Sequence, residues 1–392
     1  MFVKSVSYKE KERILLNAMT RAKPLTEKAE FQGSGVAPFV GRFGYPNVNV
    51  GILAPPEIRA DAWHFDAPKA WASEALQIND IVSLRSGMVH GKFESNIKQP
   101  TKLVEIAQEV AMASKPADVD VSLEKRPNLN ISTDQWVAPM GPQGKLKAVE
   151  LTSNPNIHTK VQRMFDDTDI KAVDAVTELY GTVDENALSR MLSIGIFGKQ
   201  RKLVPTRWSI TATDDMLAND FLEDVRQLQV GDHAAYFGSY LGNYYLLLFF
   251  PEKWSYELFE MYTPSYTKSQ VLEYSTDAEP FEGKKTYAEQ CAGGYYTVRL
   301  ALAEHMANQK RQGSVVALRF ITDEYVLPLG VWVTREATRK SLANKPIQFA
   351  SKNLMLNYAK ALAKRKFGVE LDSVLKNSWL LKRQESSLNK WF

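Results

Sequence analysis

The amino-acid sequence predicts an α+β protein, because helical and strand-like patterns alternate along it without a regular order. Helical patterns occur in four longer segments, at residues 10–21, 104–112, 297–311 and 354–367. Short apolar or alternating runs of strand length occur at residues 146–152, 244–250, 315–321 and 326–333. We therefore expect mixed helices and sheet, with a larger N-terminal region, a smaller C-terminal α/β region and a flexible tail.

In the N-terminal half, helical patterns alternate with segments rich in turn-forming residues. The chain begins with the predicted helix at residues 10–21. Residues 32–58 and 114–145 are dense in glycine or proline, so we expect them to be loops. Further short helices are predicted at residues 161–165, 170–180 and 186–192.

The C-terminal half has more sharply defined elements. Residues 244–250, with the sequence YYLLLFF, predict a buried strand. The helices predicted at 297–311 and 354–367 are followed by Gly313 and Gly368, and glycine commonly lies just beyond the end of a helix.

Residues 264–286 are polar and rich in turn formers, which makes them the best candidate for a boundary between two regions. We expect an N-terminal region over residues 1–275 and a C-terminal region over residues 285–380. A separate tail is expected at residues 384–392.

Composition excludes several classes of protein. Of the 392 residues, 44% are hydrophobic and 24% are charged, which is ordinary for a folded globular chain. The single cysteine, Cys291, excludes an internal disulfide framework and a zinc site made of several thiolates. The sequence has neither the apolar core of a signal peptide nor a run of about 20 apolar residues. We expect a cytoplasmic protein with no membrane segment.

Positive charge is concentrated at the C-terminal end. The formal net charge is +4, but residues 352–392 hold nine Lys or Arg and three acids, so this stretch carries +6 and the rest of the chain −2. A basic segment favours approach to a polyanion such as nucleic acid. The alternative is that these residues only form solvated helix faces and a tail.

The last eight residues, ESSLNKWF, have the spacing of a peptide that binds the sliding clamp, PCNA. Leu388 is followed at three and four positions by Trp391 and Phe392, and one helical turn would project all three as apolar anchors. The glutamine usual in this PIP motif is displaced, since its place holds Glu385 and Gln384 comes one residue earlier. The alternative is a tail that packs on its own domain.

Residues 33–51 contain five glycines around Arg42 and Tyr45. Backbone amides in a glycine-rich loop bind phosphate, and an arginine binds it in a bidentate manner. The segment matches neither a P-loop nor a dinucleotide fingerprint. A structured loop whose glycines adopt positive φ angles is the alternative.

Residues 199–208, KQRKLVPTRW, place four basic residues beside an aromatic one. Basic side chains interleaved with an aromatic ring suit a phosphate backbone and a stacked base. The candidate binding residues in this segment are Lys199, Arg201, Lys202, Arg207 and Trp208.

Asp214 and Asp215 form an adjacent carboxylate pair shortly after this segment. Such a pair is a candidate acid or Mg²⁺ ligand set, but adjacent acids are also common at the N-terminus of a helix. The five histidines are scattered without metal-ligand spacing, so we expect no metal site built on them.

Taken together, four segments and the tail resemble the archaeal Nre family of DNA repair proteins. The segments are FVGRFGYPNVNVG at 39–51, LSRMLSIGIFGKQRKLVPTRWSITATDD at 188–215, GGYYTVRLALAEH at 293–305 and LPLGVWVTRE at 327–336. The resemblance implies a role in the response to DNA damage, with recruitment through the sliding clamp. Some members carry cysteine pairs suggestive of zinc, which this chain lacks, so no metal is implied here.

The leading hypothesis is a DNA repair factor whose tail binds the sliding clamp (PCNA) and whose body binds DNA. The alternative is an enzyme that processes DNA or a nucleotide, either a nuclease or a nucleotidyl- or ADP-ribosyl-type transferase that uses the 33–51 loop. Magnesium or a nucleotide would be its cofactor, whereas no cofactor is evident for the leading hypothesis. A third hypothesis is an adaptor without DNA binding. The sequence leaves open whether the protein is an enzyme.

Overall fold

The computed structural model describes residues 6–98, 101–130, 140–269 and 271–388. They form two compact units. The first comprises the described residues of Met1–Leu217 with Val326–Leu329, and the second those of Ala218–Tyr325 with Gly330–Phe392. Each unit combines helices with a six-stranded sheet, which confirms the predicted α+β class.

The first unit is built on a sheet in the order β1-β5-β6-β4-β3-β2, in which only the β4–β6 pair is parallel. Its strands are β1 (Glu30–Gly35), β2 (Ala37–Val40), β3 (Asn47–Ala54), β4 (Val89–Asn96), β5 (Ala117–Leu123) and β6 (Gln143–Leu151). Its helices are α1 (Val6–Ala22), α2 (Pro68–Ser73), α3 (Ile78–Ser86), α4 (Lys102–Met112), α5 (Thr159–Asp166), α6 (Ala172–Leu179) and α7 (Glu185–Ser193), with 3-10 turns at Lys23–Thr26 and Ala62–Asp66.

The pattern of β3 shows how this sheet divides its two faces. Val48 and Val50 are fully buried, whereas Asn47 and Asn49 between them are exposed. Successive side chains of a strand point to opposite faces, so one face joins the core and the other meets solvent. The amphipathic helix α4 packs against β2, β3 and β6. The polar face of β3 and β4 is left on the surface.

The helix α8 (Thr206–Val225) contains the point, between Leu217 and Ala218, at which the first unit ends. The second unit has a sheet in the order β10-β9-β11-β8-β7-β12, in which only β9 and β11 are parallel. Its strands are β7 (Ala234–Tyr240), β8 (Asn243–Phe250), β9 (Ser255–Tyr262), β10 (Tyr274–Glu279), β11 (Ser314–Ile321) and β12 (Ile347–Gln348). Its helices are α9 (Pro264–Thr267), α10 (Ala292–Gln309), α11 (Trp332–Leu342), α12 (Lys352–Phe367), α13 (Asp372–Asn377) and α14 (Trp379–Leu388).

Successive residues of the central strand β11 point to opposite faces of this second sheet. Leu318 and Phe320 join one buried cluster with Met355 of α12 and Leu380 of α14. On the other side α11 packs against β7 and β8, and α10 packs against α11. Because both faces are covered, every residue of β11 is buried, as its apolar sequence predicts.

Most of the strongly patterned predictions are confirmed. The helices expected at 10–21, 297–311 and 354–367 correspond to α1, α10 and α12, and Gly368 ends α12 in the left-handed region at φ +67°. The strands expected at 244–250 and 315–321 are β8 and β11.

Three element predictions are wrong. Residues 114–145, expected to be a loop, include β5 and the start of β6. Residues 32–58, expected to be a loop, form β1, β2 and β3. Their glycines allow close packing: a Cβ on Gly33 would lie 2.0 Å from the carbonyl oxygen of Pro55. Residues 326–333, expected to be a strand, are irregular as far as Val331, and Trp332 begins α11. Pro328 lacks the backbone N–H that a strand ladder needs.

The boundary predicted at residues 264–286 does not coincide with the division between the two compact units, which lies between Leu217 and Ala218. Residues 264–286 include α9 and β10, and β10 pairs with β9 inside the second unit. The division at 1–275 and 285–380 remains a prediction about sequence regions. Among the described residues, no helix combines the length and apolarity needed to cross a membrane.

Candidate functional site

Two distant segments of the first unit meet at the turn between β2 and β3. The backbone N–H of Val40 donates to the hydroxyl of Thr206 over 2.9 Å, which joins the end of β2 to the first residue of α8. Beside this bond, the rings of Tyr45 and Trp208 lie with their centroids 6.4 Å apart. The glycine-rich segment and the basic segment, which the sequence left as separate motifs, therefore converge.

The turn itself is a tight connection over residues 41–46. Gly44 adopts φ +85°, which favours glycine, and a Cβ there would lie 2.5 Å from the carbonyl oxygen of Asn47. The backbone N–H of Asn47 donates to the Gly44 carbonyl over 2.9 Å and that of Gly41 to the Asn49 carbonyl over 2.7 Å. These bonds leave the side chains between them on the surface.

Three aromatic rings are exposed at this place. Phe43 is 75% exposed, Tyr45 56% and Trp208 48%. The guanidinium of Arg42 lies 4.8 Å from the centre of the Phe43 ring, and Arg207 is exposed next to Trp208. Clustered exposed apolar rings often mark a binding surface. We call the five residues Arg42, Phe43, Tyr45, Arg207 and Trp208 the aromatic–basic platform.

A buried serine, Ser193, anchors the residues at the start of α8. The hydroxyl of Ser193 donates to the carbonyl of Val204 over 2.8 Å and lies 3.0 Å from the hydroxyl of Thr206. Pro205 then precedes the first helical residue. The first turn of a helix has N–H groups without intrahelical partners and a partial positive charge, which favours nearby anions.

The structure divides the predicted basic residues of 199–208 into two groups. The guanidinium of Arg201 donates to the carbonyl of Phe165 and lies 4.9 Å from the centre of that ring. It thereby holds the segment against the C-terminal end of α5. Lys199 is exposed, and Lys202 is half-buried. Among the predicted arginines of this segment, only Arg207 belongs to the platform.

Asp214 and Asp215 do not cap a helix, so the cap interpretation is wrong. Both lie inside α8, which begins eight residues before Asp214, at Thr206. Asp214 is buried and Asp215 half-buried, and neighbouring helix residues point about 100° apart. Within the described ranges, no group of three or more His, Cys, Asp or Glu is arranged to hold a metal ion.

A polar cavity that the sequence analysis missed lies on the solvent face of the same sheet. It has a volume of about 330 Å³ and is lined by Asn49, Lys92, Phe93, Glu94, Gln143, Gly144 and Lys145. The Lys92 ammonium donates to the side-chain carbonyl of Gln143, and partial burial lowers the pKa of Lys92. The alternating polar residues of β3 and β4 were the signal for this cavity in the sequence. Which of them lie side by side, however, depends on the register of the strands.

The second unit contains ion pairs among its interior residues. Arg299 of α10 donates to Glu279 over 2.8 Å, and Glu279 also accepts from Trp254 and Tyr295. Arg319 of β11 donates to Glu260 in the same way. Cys291 is buried, which raises the pKa of its thiol. A thiol with a raised pKa is a poor nucleophile at neutral pH.

The C-terminal helix α14 is fixed to the second sheet by Glu257 of β9. Its buried carboxylate accepts from the backbone N–H groups of Trp379 and Leu380, at 3.0 and 3.1 Å, and from the Ser378 hydroxyl. Further along, the buried amide of Gln384 donates to the Ser314 hydroxyl over 3.3 Å. Gln384 is thus part of the fold.

The side chains of the other predicted clamp-binding residues lie outside the described residues. Trp391 and Phe392 lie outside the described residues. The backbone of Glu385 and Leu388 belongs to α14, but their side chains are outside the described set as well.

Comparison with known proteins gives consistent matches over most of the chain. Residues 12–267 match the family described as "Archaeal Nre, N-terminal", and residues 279–391 match "Archaeal Nre, C-terminal". The chain is 35% identical over 315 residues to the DNA repair protein NreB of Archaeoglobus fulgidus, which covers 79% of each chain. It is 33% identical over 327 residues to the DNA repair protein NreA of Haloferax volcanii, covering 78% of this chain and 76% of the relative. No solved structure matches it.

Proposed function

Because this chain belongs to the archaeal Nre family, we propose that it acts in DNA repair, binding DNA through the aromatic–basic platform and the sliding clamp through its C-terminal residues. Relatives named as DNA repair proteins support the general role. A cytoplasmic location belongs to the same proposal.

The observation that carries DNA binding is the exposure of three aromatic rings, with two exposed arginines next to them in sequence. Phe43, Tyr45 and Trp208 present ring faces on which bases stack, and stacking contributes about 1–3 kcal/mol per base. Arg42 and Arg207 supply charge for the phosphates that accompany those bases. The start of α8 adds a positive end of a helix dipole beside them.

The platform favours single-stranded or unpaired DNA. The bases of a duplex are already stacked on each other, so their faces are inaccessible to protein rings. A strand with unstacked bases offers both the faces and a flexible backbone. Such DNA occurs at damaged and partly processed sites, which agrees with a repair role.

The proposed clamp contact uses Leu388, Trp391 and Phe392 as apolar anchors. Their spacing supports it, and Gln384 contributes to the fold instead of the contact. We therefore expect binding to be dominated by the apolar anchors, with little from the polar half of the motif. The bonds of Glu257 hold the start of α14, the helix that ends at Leu388.

DNA binding is tested by fluorescence anisotropy with a labelled oligothymidine. Tyr45→Ala combined with Trp208→Ala is expected to weaken binding by at least about tenfold, since each lost stacking contact removes about 1–3 kcal/mol. Trp63→Ala is the matched control, because Trp63 is also half-exposed on the first unit but lies away from the platform in sequence and contacts His64. Equal affinity of the double variant and the control would contradict the proposal.

Clamp binding is tested by calorimetric titration of an archaeal sliding clamp with the full chain. Trp391→Ala combined with Phe392→Ala is expected to abolish the binding seen with the unaltered protein. Trp379→Ala, which removes a partly exposed tryptophan at the start of α14, is expected to leave binding unchanged. Undiminished binding by the double variant would refute the role of the anchors.

The enzyme hypothesis depended on a phosphate-binding loop at residues 33–51. That segment forms strands except for the short turn at 41–46, so no specific observation favours this hypothesis. An adaptor without DNA binding is the outcome that the anisotropy experiment would reveal if the unaltered protein failed to bind.

A further inference from the structure

The polar cavity on the first sheet has the dimensions of a small-ligand site. Its volume of about 330 Å³ lies at the lower end of the range of such sites. It opens on the solvent face, between β3, β4 and β6. Its seven lining residues are all in the first unit.

The strand register brings the cavity's polar groups together. Asn49 of β3 pairs with Glu94 of β4, and Lys92 of β4 pairs with Lys145 of β6. Lys92 and Glu94 are two residues apart on one strand, so their side chains share a face. The position opposite Lys92 on β3 is Gly51, and the space that a side chain would take there is occupied by the buried ring of His90, which shares the face of β4 with Lys92.

The charges of the lining argue against a simple anion. The Lys145 ammonium lies 2.6 Å from the Glu124 carboxylate, which offsets its charge. The Lys92 ammonium donates to Gln143, and the exposed carboxylate of Glu94 lines the same cavity. A phosphate or carboxylate would be attracted by one and repelled by the other. A ligand with hydrogen-bond donors on one edge and acceptors on the next satisfies both.

Among nucleobases, guanine fits this pair of groups best. Its N1–H and N2–H donors lie side by side, so one carboxylate, which only accepts, binds both. Its O6 and N7 are acceptors, which suit a lysine. Adenine lacks the N1–H donor, thymine has one donor between two acceptors, and cytosine offers a carboxylate only its N4 amino group, with no second donor group beside it. The amides of Asn49 and Gln143 both donate and accept, so they suit the remaining edge.

The cavity is continuous in the sheet with the turn that carries the platform. Asn47 follows that turn and accepts from the amide of Asn96 over 2.8 Å. Asn49, the first lining residue, is two positions further along β3, about 7 Å at 3.3–3.4 Å per residue. A polar path thus leads from Tyr45 along β3 to the cavity.

We propose that this cavity holds one unpaired guanine, which Glu94 recognises at N1–H and N2–H and Lys92 at O6 or N7. The inference rests on the proposed DNA binding, because the guanine belongs to a strand whose neighbouring bases stack on the platform.

The test compares the affinities of two labelled oligonucleotides, one of thymine alone and one with a single central guanine. We expect the unaltered protein to bind the guanine-containing strand about tenfold more tightly, as for a good bidentate base contact. Glu94→Gln is expected to remove this preference. Glu150→Gln, an exposed carboxylate elsewhere on the same sheet, is expected to keep it.

The outcomes separate this inference from the proposed DNA binding. Trp208→Ala should weaken both oligonucleotides equally and keep the guanine preference. If the unaltered protein binds both strands equally, the guanine inference is wrong and DNA binding stands. If it binds neither strand, DNA binding is wrong, and calorimetry with deoxyguanosine monophosphate decides: binding that Glu94→Gln abolishes supports a guanine site for a free nucleotide, and no binding overturns it.

Discussion

The backbone N–H of Val40 donates to the side-chain hydroxyl of Thr206 over 2.9 Å, and so joins two segments that are 166 residues apart in sequence. Together with the bonds of Ser193, it holds the start of α8 beside the β2–β3 turn. There Tyr45 lies within ring contact of Trp208, and three exposed rings and two arginines lie in one place. The proposed function depends on this convergence.

The bond between Val40 and Thr206 should therefore control both stability and DNA affinity. Thr206→Val keeps the shape of the side chain but leaves the Val40 N–H without its acceptor, which is expected to cost about 1–3 kcal/mol. We expect a lower melting temperature and weaker binding of oligothymidine. Thr206→Ser retains the hydroxyl and should behave like the unaltered protein. Unchanged DNA affinity in Thr206→Val would show that the platform does not need this bond.

Two arginines of the basic segment should respond differently to removal. Arg207 is exposed on the platform, so Arg207→Ala should lower the slope of log affinity against log salt concentration by about 0.7, as for one lost phosphate contact to a single strand. Arg201 bonds to the Phe165 carbonyl, so Arg201→Ala should lower the melting temperature and leave that slope unchanged. Salt titrations of both variants measure the difference. The reverse pattern would mean that Arg201 carries the phosphate contact.

The carboxylate of Glu257 should hold α14 in place. Its oxygens accept from two backbone N–H groups and the Ser378 hydroxyl, all of which lose their partner in Glu257→Ala. We expect the free energy of unfolding to fall by about 1–3 kcal/mol and proteolysis within α14 to accelerate. Glu273→Ala, which removes an exposed carboxylate of the same unit, is the control. Equal protection of α14 in both variants would contradict this role.

His90 should make the protein less stable in mild acid. Its ring is buried against Phe39, both ring nitrogens have no hydrogen-bond partner among the described residues, and burial, with a smaller effect from Lys92, lowers the pKa of His90 to about 3. Below its ordinary pKa of 6.5, the unfolded chain binds a proton that the folded chain does not. Stability must therefore fall as the pH falls from about 6.5 towards 3.

Two measurements check the behaviour of His90. Nuclear magnetic resonance should show no protonation of its ring at about pH 5, and the free energy of unfolding should decline less between about pH 7 and pH 5 in His90→Leu than in the unaltered protein. A ring that titrates near its ordinary pKa would show that the side chain is not buried in solution.

The elements that were predicted correctly are those whose residue pattern is local and continuous along the sequence. The helices α10 and α12 have a continuous helical pattern, and α12 ends at a glycine, so local physics decides them. The strands β1 and β3 were missed because glycines interrupt their apolar alternation, and β2 because it has only four residues, one of them Pro38. Those glycines are explained only by non-local packing, such as that of Gly33 against the Pro55 carbonyl.

The candidate site was predicted in its parts but not in its arrangement. Arg42, Tyr45, Arg207 and Trp208 were all identified from the residue types around them, yet nothing local shows that Tyr45 and Trp208 meet. Phe43 was not singled out, although it is the most exposed of the three rings. The cavity around Lys92 and Glu94 was missed entirely, because it exists only through the register of three strands.

The proposed DNA binding is tested most directly by mapping where single-stranded DNA contacts the protein. An oligothymidine with photoreactive iodouracil bases would be crosslinked to the full chain, and the modified peptides identified by mass spectrometry. DNA binding by the aromatic–basic platform predicts crosslinks at Phe43, Tyr45 or Trp208, which are lost on addition of unlabelled oligothymidine and weaken as salt concentration rises. Crosslinks confined to other surfaces, with the peptides of the 41–46 turn and the start of α8 unmodified, would contradict it.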